Sequence, residues 1–145
     1  MQGQALRLSG LDDTLDDILW RSLTGNITFD EETASAFYKS YFYAHISCTE
    51  ESPEVIQNMG REFHDAVRRR SRYRKLCATK QGFFGAVPET ADIGDWICIF
   101  NGGKHIFVVR EWQKAFKYVG YAYIDGLMHG EGFELGHEER GLLLV

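Results

Sequence analysis

Five side chains able to exchange a proton or an ion pair, Tyr121, Tyr123, Asp125, His129 and Glu131, cluster near the C-terminal end of the sequence. Strand alternation sets Tyr121, Tyr123 and Asp125 on one face. A turn at Gly126 is expected to return His129 toward Asp125. A histidine oriented by a carboxylate beside a phenol is an acid/base set, because imidazole titrates near neutral pH. On that reading Asp125, His129, Tyr121 and Tyr123 are the candidate catalytic residues. The same residues also have a plain structural reading. Tyrosine-rich strand faces pack cores and rims, and an Asp-Gly pair followed by a His is ordinary turn chemistry.

A second group lies earlier. Tyr41 and His45 are one helical turn apart, with Tyr38 beside them, and His64 follows between Glu62 and Asp65. If that helix face lines a cleft, Tyr41 and His45 are candidates to orient a hydrophobic, oxygenated small molecule. A histidine on an apolar face is otherwise a satisfied core residue, and His64 on a charged helix is exposed. Arg110 closes an apolar run; its planar fork can grip a carboxylate or phosphate, or pair with Asp95 or Glu111. Lys104 and His105 add positive character nearby. A metal centre from His45, His64, His129 and Glu131 would need three distant segments to converge, so no metal is expected. The glycine-rich turns lack the order of a nucleotide loop, and no nucleophile elbow occurs, so no cofactor is expected.

The elements that must position these groups fall into a helical front, 1–72, and a strand-rich back, 73–145, read together as one domain. A first helix opens near Asp12 or Thr14, carries Leu15, Ile18, Leu19 and Leu23 on one side, and stops at Gly25. A second opens at Asp30, with Glu31 and Glu32 in its first turn and an aromatic stripe of Phe37, Tyr38, Tyr41, Phe42 and His45. A third starts at Ser52, with Pro53 at its first position and an apolar face of Ile56, Met59, Phe63 and Val67. Short strands are expected at 74–79, 83–87, 96–101, 106–110 and 118–124, with the run 141–145 as a further edge strand. Asn101-Gly102-Gly103 is a hairpin signal. Connections this short exclude crossover helices. The expected fold is therefore α+β, with N-terminal helices packed on a small, largely antiparallel, partly closed β-barrel.

Composition narrows the function classes. The chain has 145 residues, 44% of them hydrophobic and 14% aromatic, enough to build a core and to argue against disorder. No apolar run is long enough to span a bilayer, and the N-terminal residues lack a signal-peptide core. A cytoplasmic protein, with no membrane partner, is expected. Cys48, Cys77 and Cys98 are odd in number and widely spaced, which reads as free thiols. The net charge of −5 disfavours nucleic acid. A local basic run, Arg68 to Arg70 with Arg72, Arg74 and Lys75, reads as a solvated helix end or as a hold for an anion.

From residue 61 onward the order of residues resembles the C-terminal region of fungal heterokaryon-incompatibility proteins. That region reads as a basic residue, TxxGxxGxxP, GD and an apolar strand, GG…PFVLR, then VGExYVHGIMDGE. Here the matching positions are Thr79, Gly82, Gly85, Pro88, Gly94, Asp95, Gly102, Gly103, Phe107, Val108, Arg110, Val119, Gly120, Tyr123, Gly126, Met128, Gly130 and Glu131. LWRSLTGN at 19–26 is similar to a WRTL segment that precedes this region. Ile106 replaces the usual proline, Tyr121 the usual glutamate, and Asp125 and His129 stand where His and Asp are usual. The family's name-giving N-terminal domain has no counterpart here, so its cell-death activity is not implied.

The resemblance implies an accessory module in self/non-self recognition that binds a protein partner or a small ligand. The alternative is a cofactor-independent biosynthetic enzyme, a cyclase, isomerase or dehydratase, using acid/base groups in an aromatic-lined cleft.

Overall fold

The computed structural model describes residues 14–26, 36–135 and 139–145. Within them the architecture is α+β, with four helices and a five-stranded antiparallel sheet.

Helix α1 spans Leu15–Thr24 and begins where its capping chemistry allows. The Thr14 side chain accepts from the Asp17 N–H at 3.2 Å, and the Asp17 carboxylate takes the Thr14 N–H at 3.1 Å. This reciprocal box satisfies donors that the first turn would otherwise orphan. Gly25 closes the helix, donating its N–H to Arg21 O. Helix α2 is described over Ala36–Ile46. The expected opening at Asp30 to Glu32, and the side chain of Phe37, lie outside the described residues. Helix α3 runs Glu54–Arg70, one residue later than expected: Pro53 has φ −53 and ψ 145, extended backbone outside the first turn. Phe63 and Ala66 are buried, while Val67 is half-buried.

These helices share an aromatic core of Trp20, Tyr38, Phe42, Phe63 and Ala66. Phe63 meets Phe42 edge-on at 5.5 Å and Tyr38 at 6.1 Å, the tilted geometry that the ring quadrupole favours.

The strands are β1 Arg74–Ala78, β2 Phe84–Pro88, β3 Trp96–Ile99, β4 Ile106–Trp112 and β5 Ala115–Ile124, followed by the short α4, Glu131–Glu134. Their order across the sheet is β1-β2-β5-β4-β3, every neighbour antiparallel. The expected hairpin joins β3 to β4: Gly103 N–H donates to Phe100 O at 2.8 Å, and Gly102 takes φ +78, which a side chain would resist. The final run does not form a full strand. It makes one parallel bridge, Leu144 to Phe116, along β5.

Of the expected partly closed barrel, the described residues show the antiparallel sheet but not its closure. Among the described residues it stays open, with β1 and β3 as edges. Both edge strands are short, and Arg74 and Lys75 put charge on β1, which limits strand-to-strand association without closure.

One sheet face carries a second core of Phe83, Val87, Ala91, Ile106, Val108, Ala122, Ile124 and Leu127. The other face is shared: α1 lies against β2, and beyond α1's reach the face meets solvent.

Candidate functional site

The covered half of that shared face holds the polar cluster that the sequence singles out. β5 sets Tyr123 and Asp125 two residues apart, both buried, at 8% and 5% exposure. The Tyr123 hydroxyl donates to Asp125 Oδ1 at 2.8 Å. Arg21, reaching down from α1, donates through Nε to Oδ1 at 2.7 Å and through Nη2 to Oδ2 at 2.9 Å. The result is a two-pronged ion pair joining residues 104 positions apart. Burial, then the Asp125 charge and its hydrogen bond, push the Tyr123 phenol far above its ordinary value, with Arg21 pulling the other way. Tyr123 is therefore a fixed donor, not a group that exchanges its proton near neutral pH.

His129 does not join them. Its side chain is exposed past the Gly126 turn, and its backbone N–H donates to Glu131 Oε2 at 2.7 Å. The turn leads the chain into α4 instead of folding the imidazole back, and Arg21 occupies the carboxylate edge that an orienting histidine would need.

Tyr121 belongs to a different environment. It is 57% exposed. The Arg74 guanidinium lies 4.4 Å from its ring centre and donates through Nη2 to the carbonyls of Tyr121 at 2.8 Å and Ala86 at 3.1 Å. Burial draws the Arg74 pKa below the usual arginine value, with Tyr121 partly opposing it. His105 stands 6.3 Å from Tyr121 and 6.4 Å from Phe107, which in turn contacts Tyr118 at 5.9 Å and Phe100 at 5.0 Å. This linked run of rings is an aromatic surface, with Tyr118 also exposed.

The remaining candidates separate. Tyr41 is half-buried and packs beside Tyr38, at 5.7 Å, on the helical core. His45 is exposed, its ring 5.3 Å from His64 and 6.2 Å from Phe63. Neither reaches the strand cluster. Arg110 resolves in favour of the structural pair. It donates to Asp95 through Nε at 2.7 Å and Nη2 at 2.8 Å, to Thr90 O at 2.9 Å, and pairs with Asp92 at 3.2 Å. The Arg110 hydrogen bond holds the Asp95 carboxyl below the usual range, against the opposing effect of burial. Among the described residues no group of three or more His, Cys, Asp or Glu is arranged to hold a metal ion. No helix among them is long and apolar enough to cross a membrane.

A family model described as the Het-6 beta-barrel domain matches residues 44–145. The chain belongs to the Het-6 beta-barrel domain family. No curated protein and no solved structure matches it.

The motif positions of this Het-6 barrel chain now have physical roles. In TxxGxxGxxP, Thr79 turns β1 into β2: its Oγ1 accepts from Phe83 N–H at 3.0 Å, and its carbonyl accepts from Gly82 N–H at 3.0 Å. Gly85 lets β2 lie against β5, since a Cβ there would sit 2.0 Å from the Tyr123 carbonyl oxygen. Pro88 then packs on Gly120. The GD and the arginine after the apolar strand are the Asp95–Arg110 pair. Ile106, in place of the usual proline, is buried opposite Ile99 and Ala122.

Sequence reasoning missed Arg21 and Asp17, and took Arg74 only as part of a basic run. Arg21 and Arg74 act across the fold, and no local spacing announces their partners. Asp17 was signalled by its place three residues after Thr14. Its carboxylate also takes Trp20 Nε1 at 3.2 Å and Lys39 Nζ at 2.9 Å, which ties α1 to α2.

Proposed function

We propose that this Het-6 barrel chain is a non-catalytic binding module that meets a protein partner or small ligand on the open half of its sheet. The observation that carries the reading is the contrast within β5: the buried polar pair is locked by Arg21, while Tyr118 and Tyr121 are left exposed beside Phe107 and His105. Aromatic rings with one polar edge are favoured contacts, because they bury much area and lose little rotamer freedom. A cyclase, isomerase or dehydratase draws no support from this geometry. Tyr123 is held protonated, and the histidine expected to serve as base is not set against Asp125. Closure toward a barrel is part of the same proposal. The bridge from Phe116 to Leu144 supplies a strand-like neighbour to β5 outside its paired range with β2.

The test is an amide and aromatic NMR titration of the chain with a set of hydrophobic, oxygenated small molecules. Shifts gathered at Phe107, Tyr118 and Tyr121, weakened by Tyr121→Ala, support the module. Shifts centred on Tyr123 and Asp125 with turnover of the ligand would overturn it.

A further inference from the structure

Between Asp65 and Glu89 the chain carries seven lysines and arginines and no carboxylate, in a sequence whose net charge is −5. This stretch leaves the C-terminal end of α3, follows β1 and enters the turn at Thr79. Arg69 is held to its own helix, its Nε donating to the Asp65 carbonyl at 3.3 Å. Arg72 donates to the Tyr73 hydroxyl at 3.2 Å, and Arg74 bonds two carbonyls and covers a ring. Lys75 approaches Asp92 only at 4.0 Å. The α3 dipole accounts for cations in its last turn, but not for those continuing along β1 and into Lys80.

β1 is also an edge of the sheet, and the pairing fixes which of its groups point outward. Thr79 N–H donates to Phe83 O at 2.7 Å, and Glu89 N–H donates to Tyr73 O at 2.9 Å. Antiparallel ladders alternate, so the odd-numbered residues bond β2 while Leu76 and Ala78 aim N–H and C=O away from it. No described residue pairs with those outward groups. Leu76 is 42% exposed and lies on the same face as Arg74.

We infer that the β1 edge docks an extended, acidic segment of a partner protein, added to the sheet as a further strand. The strand's outward donors and acceptors recur every second residue, the repeat of an extended polypeptide. The surrounding cations select glutamate- or aspartate-bearing segments and speed their encounter. A second copy of the chain is disfavoured at this edge, because pairing β1 with β1 sets the same basic stretch against itself. A nucleic acid is disfavoured by the negative charge of the rest of the chain and by the absence of a strand-like repeat in a phosphodiester. The inference rests on the binding-module reading but uses the strand edge, not the aromatic face.

The experiment uses the full chain and an acetylated, dye-labelled octapeptide of alternating glutamate and valine, followed by fluorescence anisotropy. Saturable binding is expected, weakening about tenfold or more as salt is raised through the screening range. Hydrogen exchange at the Leu76 and Ala78 amides should slow on binding. Leu76→Pro, which removes one outward donor at an edge position that tolerates proline, should abolish binding with an unchanged thermal midpoint. If that variant unfolds, the exchange measurement on the native chain decides alone. Reversing charge at Arg72 and Lys80 together, each to Glu, should weaken the complex about tenfold. Equal binding of a lysine–valine octapeptide, full binding by a folded Leu76→Pro, or tighter binding of a thymidine oligonucleotide would each overturn the proposal. So would a dimer of the chain that Leu76→Pro converts to monomer. Octapeptide binding without any ligand at Tyr118 and Tyr121 removes the aromatic-face reading alone. Ligands at those rings with no octapeptide binding remove the edge alone.

Discussion

Two halves of one strand face meet opposite fates in this molecule. Tyr121 and Tyr123 sit two residues apart on β5 and point the same way, yet one is 57% exposed and the other 8%. The difference is the reach of α1. Under that helix, a carboxylate taken out of water needs a matching countercharge, and Asp125 receives both prongs of Arg21. Beyond it, Arg74 is stable with two carbonyls and a tyrosine ring, because water still solvates part of its charge. A third arginine, Arg110, repeats the first solution with Asp95 at the crossing from β2 to β3. The lesson is that a side chain's chemistry in this fold follows from what covers it. The locked half holds the helix to the sheet, and the open half leaves Tyr118 and Tyr121 exposed to solvent.

The contrast breaks most severely at Asp125. Asp125→Ala leaves Arg21 and the Tyr123 hydroxyl without their acceptor, and should cost about 3–5 kcal/mol, the range for halving a buried pair. Urea unfolding followed by circular dichroism measures it. A loss below about 1 kcal/mol would mean that the pair does not hold α1 to the sheet. Gly85→Ala is the next largest. Its new Cβ would collide with the Tyr123 carbonyl, and β2 and β5 must separate, at a cost of about 3 kcal/mol. The same unfolding assay reads it, with the Tyr123 and Ile124 amides expected to lose exchange protection first.

Acid sharpens the comparison among the carboxylates. Burial alone would raise the Asp17 pKa, but Lys39, the Thr14 N–H and Trp20 together hold it well below its ordinary 3.8. A depressed folded-state pKa stabilises the protein fully above the unfolded value, and that contribution is lost as the pH falls through and below it. Asp17→Asn should therefore lower stability at neutral pH by about 1–2 kcal/mol and flatten the acid limb below pH 4. A pH series of urea midpoints on both proteins checks this, and an unchanged acid limb would refute it. The smallest effect is expected on the open half. Tyr121→Ala should change stability by less than about 1 kcal/mol. Tyr121→Glu, which places the family's usual residue under Arg74, should gain about 0.5 kcal/mol, most visibly at low salt. Losses comparable to Asp125→Ala would show that the two halves are equally structural.

Much of the frame was legible residue by residue. Thr14 and Gly25 bracket α1, the Asn101-Gly102-Gly103 turn joins β3 to β4, and five short apolar runs become five antiparallel strands. The choice of Asp95 as a partner for Arg110 was open in the sequence and settled in space. The Tyr123–Asp125 contact was readable because strand alternation acts over two residues. The expected approach of His129 to Asp125 was not met, since a turn's exit direction depends on what the following segment packs against. Barrel closure was not legible for a similar reason: counting strands does not say whether the first and last will meet.

What the sequence determined by itself is therefore what acts over a few residues: caps, turns, the alternation of strand faces, the family and the class of the fold. These follow from backbone sterics and nearest-neighbour hydrogen bonds, which any local stretch carries with it. Only the tertiary structure decided that Arg21 seals Asp125, that Arg74 lies on Tyr121, and that, among the described residues, β1 ends the sheet with no partner on its outward amides. Those outcomes depend on groups far apart in the chain being desolvated together, and desolvation is a property of the packed molecule, not of any one segment.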